Sequence, residues 1–355
     1  MKIPTLVFTI TLSLAAILPV AAADKPLAPV ISAKDAWERD HPGVAPEANP
    51  YFYPNSEQEK AMLKPNLDNE KNVAAVVAAM PDKLTAVPKR KAKLFVYMGG
   101  QNPAAHKGGA AGFLILLREA ARKYGAFELT ECYDPNEIQE DTLKSYDAVI
   151  ANNCIAGGKF GEYLVAYVKN GGGVFANHGT GHSAAVTGPL LNLASYGYSH
   201  WNGQPFPLKM VEPNNPLLAG LRYPVTPRKV MFGYPGPDGK KTFKEREVQV
   251  PKEFLTELNL ATFNKEDAGY PVRVLLTLDD DHLPADWAEL KEKFPHTPFI
   301  WIREYGKGRI YYTQFAHDIE PFKEPSVSRS ILDGIQYVLG DLSAGEAPTK
   351  TQNEK

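Results

Sequence analysis

Cysteine is nearly absent from this chain: Cys132 and Cys154 are the only two among 355 residues. Two thiols make neither a disulfide scaffold nor a four-thiolate metal site, so the fold has to rest on a hydrophobic core. An excess of either charge is missing as well. The 39 basic and 41 acidic residues leave a formal charge of −2, with no long basic run. That removes the electrostatic ground for expecting nucleic acid or an anionic membrane surface as a partner. No GxGxxG or GxxxxGK[ST] occurs, since Gly99-Gly100 and Gly108-Gly109 fit neither pattern, and no nucleotide cofactor is expected. Compact zinc signatures such as HExxH are lacking. There are no internal repeats or heptads, and beyond the N-terminus no segment approaches the ~20 apolar residues of a spanning helix.

What is present begins with a targeting segment. Lys2 is followed by the apolar run Ile3 to Val20 and then Ala21-Ala22-Ala23 before Asp24. This reads as a secretory signal peptide (residues 1–23) cut after Ala23, placing the mature protein in the periplasm or outside the cell with no membrane anchor. Residues 24–92 read as an N-terminal arm and linker, polar and dotted with proline, crossing the domain surface. Within it NEKNVAAVVAAM predicts a helix over Asn69 to Met80, with Asn69 as N-cap and Pro81 as stop. Pro88-Lys89-Arg90-Lys91 reads as a solvated linker.

From residue 93 short apolar runs alternate with helical periods. Strands are expected at Lys93–Met98, Phe127–Cys132, Ala148–Asn152 and Val174–Asn177, and helices at Ala111–Tyr124 and Glu162–Lys169. Such alternation predicts an α/β fold, a doubly wound, mostly parallel sheet with helices on both faces. Residues 184–250, rich in Pro, Gly and aromatics and without a clear period, read as an insertion over the top of the sheet. Strands resume at Val272–Leu278, Phe299–Arg303 and Arg309–Phe315. The turn Tyr305-Gly306-Lys307-Gly308 makes the far edge antiparallel. Ser326–Leu339 closes the domain as an amphipathic helix, giving a unit over 93–340, and 341–355 reads as a disordered tail.

The chain is organised around Lys169 to Ser183, KNGGGVFANHGTGHS. Gly171-Gly172-Gly173 suits a tight helix-to-strand turn. Val174–Asn177 makes a buried strand, and the polypeptide turns sharply at His178-Gly179-Thr180-Gly181. A polar residue between a strand and glycines has the geometry of a nucleophile elbow at the carboxyl edge of the sheet, where α/β folds bind ligands. Here the elbow residue is histidine rather than Ser or Cys. His106 and the His317-Asp318 pair also follow strands, so parallel topology brings three histidines to one rim, with His182 and His200 nearby. Imidazole serves there as metal ligand, as general base or as hydrogen-bond partner to a sugar hydroxyl. His106, His178 and His317 are the candidate ligands of a divalent metal, zinc or a similar ion, and with Asp318 the candidate catalytic set. Asp318 either orients an imidazole or is a surface charge.

Tyr198, Trp201, Phe206 and Asn202 either form a sugar platform, since aromatic faces and amide donors suit carbohydrate rings, or pack the insertion. With His182 and His200 they complete the substrate-binding candidates. Asp279-Asp280-Asp281 reads as a solvated turn. Cys154 lacks glycine flanks and reads as a small buried packing residue.

Four segments together resemble the ThuA-like, or trehalose-utilisation, family: GGQNPAAHKGG at 99–109, GGGVFANHGTG at 171–181, NNPLLAGL at 214–221 and EYGKGRIYYTQFAHDIEPFKEP at 304–325. The resemblance implies membership of the class I glutamine-amidotransferase-like superfamily with a flavodoxin-like sheet. It carries the strand-end pattern onto His106, His178 and His317-Asp318. It further implies a small carbohydrate as partner and the breakdown of trehalose or other glycosides, in some cases through 3-keto sugars. Glutaminase activity is not expected, because that chemistry needs an activated thiolate at the elbow. In the flavodoxin order the strands carrying Cys132 and Cys154 flank the first strand. That separates them by about 9–10 Å, beyond the ~7 Å Cα limit of a disulfide. Two functions stand at this point: a secreted enzyme acting on 3-keto-glycosides by histidine-based, metal-assisted acid–base chemistry, or a non-catalytic carbohydrate-binding or scaffold protein with the same fold. Nothing in the sequence speaks to oligomeric state.

Overall fold

The computed structural model describes residues 56–99, 106–134, 137–154, 158–183, 186, 188–222, 227–235, 241–249, 253–266, 269–283 and 288–345. Residues 1–55, on which the signal-peptide expectation and the first part of the expected arm fall, and residues 346–355 lie outside the described residues. Two helices come first, α1 (Ser56–Leu67) and α2 (Glu70–Ala79). Asn69 caps α2 as expected, its Oδ1 accepting the backbone N–H of Lys71 and Asn72 at 3.1 and 3.2 Å. Helix α1 was not expected from the sequence. Pro65 sits inside it, and it is held by packing, with Leu63 buried in the main core.

Nine strands make one sheet. The parallel half comprises β1 (Ala92–Tyr97), β2 (Phe127–Cys132), β3 (Ala148–Asn152), β4 (Gly173–Asn177) and, far along the chain, β11 (Gly308–Thr313), in the order β2-β1-β3-β4-β11. The strand–helix alternation predicts a doubly wound parallel sheet, and this order is the flavodoxin-like one that the family resemblance implies. All five residues of β3 and of β4 are buried, so both faces of the sheet are covered. Period-2 alternation divides their side chains between two cores. Ala148, Ile150 and Phe175 join α3 (Lys107–Tyr124) and the last helix, α6 (Pro325–Leu339), on one face. Val149, Ala151, Val174 and Ala176 join α4 (Gly158–Lys169) on the other. Fully burying one such side chain as large as Phe175 contributes roughly 1.5–3 kcal/mol. Of Gly171, Gly172 and Gly173, only Gly171 takes a positive φ, 116°, and it makes the turn out of α4.

The antiparallel half is longer than a single hairpin. Beyond β11 come β10 (Pro298–Tyr305), β9 (Val272–Leu278), β5 (Leu193–Met210) and β8 (Glu253–Phe263). The segment read as an insertion over the sheet therefore extends the sheet sideways. It adds a separate hairpin of β6 (Pro227–Pro235) and β7 (Lys241–Gln249). The reason its strands carry no readable period is visible in the β5–β8 pairing, where register shifts interrupt the ladder at three places. A short helix, α5 (Ala288–Lys293), links β9 to β10.

Lys89 and Arg90 are exposed, as a solvated linker should be, and are tied down there: the Lys89 N–H donates to Asp341 Oδ1 at 3.1 Å, and Arg90 forks onto Asp147. Residues 341–345 are packed rather than disordered, with Ala344 buried and its carbonyl accepting from Asn215 Nδ2 at 3.0 Å. Among the described residues, no helix is long and apolar enough to cross a membrane.

Candidate functional site

Three loops at the carboxyl edge of the parallel half carry the histidines, and each is placed by its own local constraint. His106 is the residue before α3, and the helix starts immediately after it. The α3 N-terminus fits against the loop after β11 because Gly109 has no side chain. Its N–H donates to His317 O at 3.2 Å, and a Cβ there would lie 1.6 Å from Ala316 O. His178 follows β4 directly with φ 30°, a left-handed conformation costly for a residue with a Cβ. Its strained carbonyl accepts two tyrosine hydroxyls, Tyr196 at 2.8 Å and Tyr312 at 2.7 Å. Burial holds the Tyr312 phenol well above its usual range, so it persists as a donor. His317 lies in the loop after β11, half-buried, with Asp318 half-buried beside it.

These constraints make the rings converge. Ring centroids are 4.9 Å apart for His106 and His178, 5.1 Å for His106 and His317, and 5.2 Å for His178 and His317. One nitrogen from each ring lies within 4.8 Å of the other two. His178 Nε2 is 3.3 Å from His317 Nδ1. Zinc–nitrogen bonds of 2.0–2.1 Å in tetrahedral geometry put ligand nitrogens about 3.3 Å apart, and three histidines with an open fourth position form a known catalytic zinc set. The donor set suits one divalent ion, which these three residues could hold, and the His178–His317 pair already stands at that separation.

A buried amide network underlies the trio. Asn177 Oδ1 accepts the Asn153 N–H at 2.6 Å, and Asn177 Nδ2 donates to Asn152 Oδ1 at 3.0 Å. Asn152 donates to Ala110 O in α3, Asn153 Nδ2 to Ala316 O, and Asn153 Oδ1 accepts the Gly179 N–H. One asparagine cluster at the ends of β3 and β4 therefore ties together all three histidine-bearing loops. Sequence reading missed it. The available signal was three asparagines ending runs of otherwise apolar strand residues, where an amide is buried only if hydrogen-bonded.

Other candidates fall differently. His178 is 0% exposed, so the elbow residue is enclosed by the protein rather than presented to solvent. His182 is exposed, its ring edge-on to Tyr196 at 4.8 Å, and it stands outside the trio. Phe206 is no sugar platform: it is fully buried against Phe299, with ring centroids 5.7 Å apart. The side chains of Tyr198, His200, Trp201 and Asn202 lie outside what the structure describes. The acidic run is only partly solvated. Asp281 is exposed, but Asp280 is buried and its Oδ2 accepts the His296 N–H at 2.7 Å. Cys154 is buried, its Sγ 3.7 Å from Thr180 Oγ1, and burial pushes the Cys132 thiol up to about 11. Both cysteines are free, with β1 between the strands that lead to them.

Solved structures with a similar course include a ThuA-like protein from Bacteroides uniformis, 17% identical over 71% of this chain and 93% of that one, with a TM-score of 0.49. A ThuA-like protein from Parabacteroides merdae is 14% identical over 73% of this chain and 94% of that one, at 0.43. A cytoplasmic protein from Salmonella typhimurium is 15% identical over 70% and 98%, at 0.41. No curated protein matches the chain. The family model described as ThuA, trehalose utilisation, matches residues 93–338, a span holding all nine strands of the sheet from Lys93 onward and all three converging histidines. The chain belongs to the ThuA, or trehalose-utilisation, family.

Proposed function

We propose that this protein is an exported carbohydrate-processing enzyme that cleaves 3-keto-glycosides at the histidine trio. The observation that carries the reading is the convergence of His106, His178 and His317, three imidazoles from loops after three different strands. The family's description, trehalose utilisation, supports a glycoside as the substrate class. A keto group at C3 acidifies the neighbouring C2–H, which an imidazole of suitable basicity can remove. His317, half-buried while the other two are buried, is the member assigned to that proton when no ion holds its lone pair; with an ion on all three imidazoles, the Asp318 carboxylate beside it is the base. The electron pair of the broken C–H bond forms the new double bond, and the glycosidic C1–O bond breaks. The leaving oxygen departs as a hydroxyl once protonated, and no covalent nucleophile is needed. A divalent ion, when bound, would supply Lewis-acid polarisation of the carbonyl oxygen. Asp318 is assigned to the imidazolium of His317 as its neighbouring charge. His182, Tyr198, His200, Trp201 and Asn202 are assigned to the sugar. Export rests on the signal-peptide pattern of residues 1–23.

The test is turnover of 3-keto-disaccharides against their parent sugars, with zinc, without added metal and with a chelator. Cleavage confined to the keto forms, and reduced 10²–10⁴-fold in His317→Ala, is the expected result. Sugar binding with no cleavage under any condition would leave a binding protein and remove the enzyme reading.

A further inference from the structure

Along β8 the sequence Leu258-Asn259-Leu260-Ala261 is buried throughout, and Asn259 is 0% exposed between leucines of 0% and 1%. A polar side chain in such a run costs stability unless it has a partner with a purpose. The strand does not need the amide for its backbone. Gln314 already clamps the main chain of Asn259, its Oε1 accepting the N–H at 2.9 Å and its Nε2 donating to the carbonyl at 3.1 Å. The side chain instead faces the histidine site from behind. Its amide lies 3.2 Å from Nδ1 of His178, the ring nitrogen opposite the one that faces His317.

The two ends of that amide have nearly the same shape, and which one meets the imidazole follows from the hydrogen-bond network. With Nδ2 toward the ring, Oδ1 is left buried and unpartnered among the described residues; turning the amide puts Nδ2 in that place, so the choice rests on what the ring needs. The ring proton is then forced onto Nε2, where it would occupy the lone pair turned toward the trio. With Oδ1 toward the ring, the carbonyl oxygen gains a donor in Nδ1–H, and Nε2 keeps its lone pair. Metal-binding histidines are oriented in this second way, their other ring N–H given to a carbonyl or carboxylate.

We propose that Asn259 is a positioning residue of this site: its Oδ1 accepts the Nδ1 proton of His178 and so keeps the Nε2 lone pair turned toward His106 and His317. The inference rests on reading the trio as a ligand or base site. No motif around position 259 marks it, because the pairing spans 81 residues of sequence.

The experiment reads the tautomer directly. Nitrogen-15 NMR of histidine-labelled, metal-free protein, with the His178 signals assigned through His178→Gln, should show the proton on Nδ1. In Asn259→Leu the proton should move to Nε2 or be shared. In Asn259→Asp, which keeps an acceptor oxygen, it should stay on Nδ1. Zinc affinity, read by competition with a chromophoric chelator, should fall roughly 10–100-fold in Asn259→Leu and stay within a few-fold in Asn259→Asp. Thermal melting of both variants controls for folding, which the Gln314 clamp on the main chain should preserve. A proton on Nε2 in the unaltered protein, or one that stays on Nδ1 in Asn259→Leu, overturns the proposal. The expected tautomers in a protein that binds no zinc would uphold Asn259's role and remove the metal from the functional reading.

Discussion

At the residue scale, the three histidines differ in burial, and that difference separates structural from functional effects. His178 is fully enclosed, and its carbonyl carries two tyrosine hydroxyls. His317 is half-buried. Replacing His178 by alanine removes an imidazole from buried partners and should cost about 1–3 kcal/mol of stability. His317→Ala, with fewer packed neighbours to orphan, should change stability by about 0.5 kcal/mol or less. Both should lose metal binding. Denaturant unfolding and zinc titration on the two variants check this together. Full zinc affinity in His317→Ala would show that the rings meet without sharing a ligand.

At the element scale, α6 holds the N-terminal strap through a buried carboxyl. Asp333 accepts the hydroxyl of Thr85, while Gln336 of the same helix bonds both the N–H and the carbonyl of Ala86. Burial raises Asp333 from 3.8 to about 6, with the Thr85 hydrogen bond and Arg329 opposing. The folded protein therefore keeps a proton that the unfolded chain has already released. Stability should fall as pH rises from about 4 to about 6 and level off above, with a total change on the order of 3 kcal/mol. Asp333→Asn should remove this dependence. Urea unfolding of both proteins at pH 4, 5, 6 and 7 measures it, and parallel curves would contradict the assignment.

The elements also show what could be read in advance. The parallel half was legible because β1, β3 and β4 are continuous apolar runs ended by polar or glycine residues, with helical periods between them. β5 and β8 were not, because their register shifts break the alternation that marks a strand. Helix α1 was hidden by Pro65 and by an apolar face that means little without the core it packs on. The three histidines were legible for the same reason as their strands, since each sits where an apolar run stops. Asn259 and Tyr312 were not. Their contacts with His178 cross 81 and 134 residues of sequence, and only the strand order brings them together.

At the scale of the whole molecule, strand order has a chemical consequence. Because β1 lies between β2 and β3, Cys132 and Cys154 are held apart and form no disulfide with each other. Thiol labelling of denatured, unreduced protein should find two reactive sulfurs per chain, and finding none would refute the order. The same order places the ends of β1, β4 and β11 on one rim, which is the basis of the site. That claim is tested most directly by X-ray absorption at the zinc edge on protein loaded with one equivalent of zinc. Three imidazole nitrogens at about 2.0–2.1 Å with an open or oxygen-filled fourth position is the result the account predicts. An all-oxygen shell, or a single imidazole with no stoichiometric binding, would show that the three histidines do not act as one site.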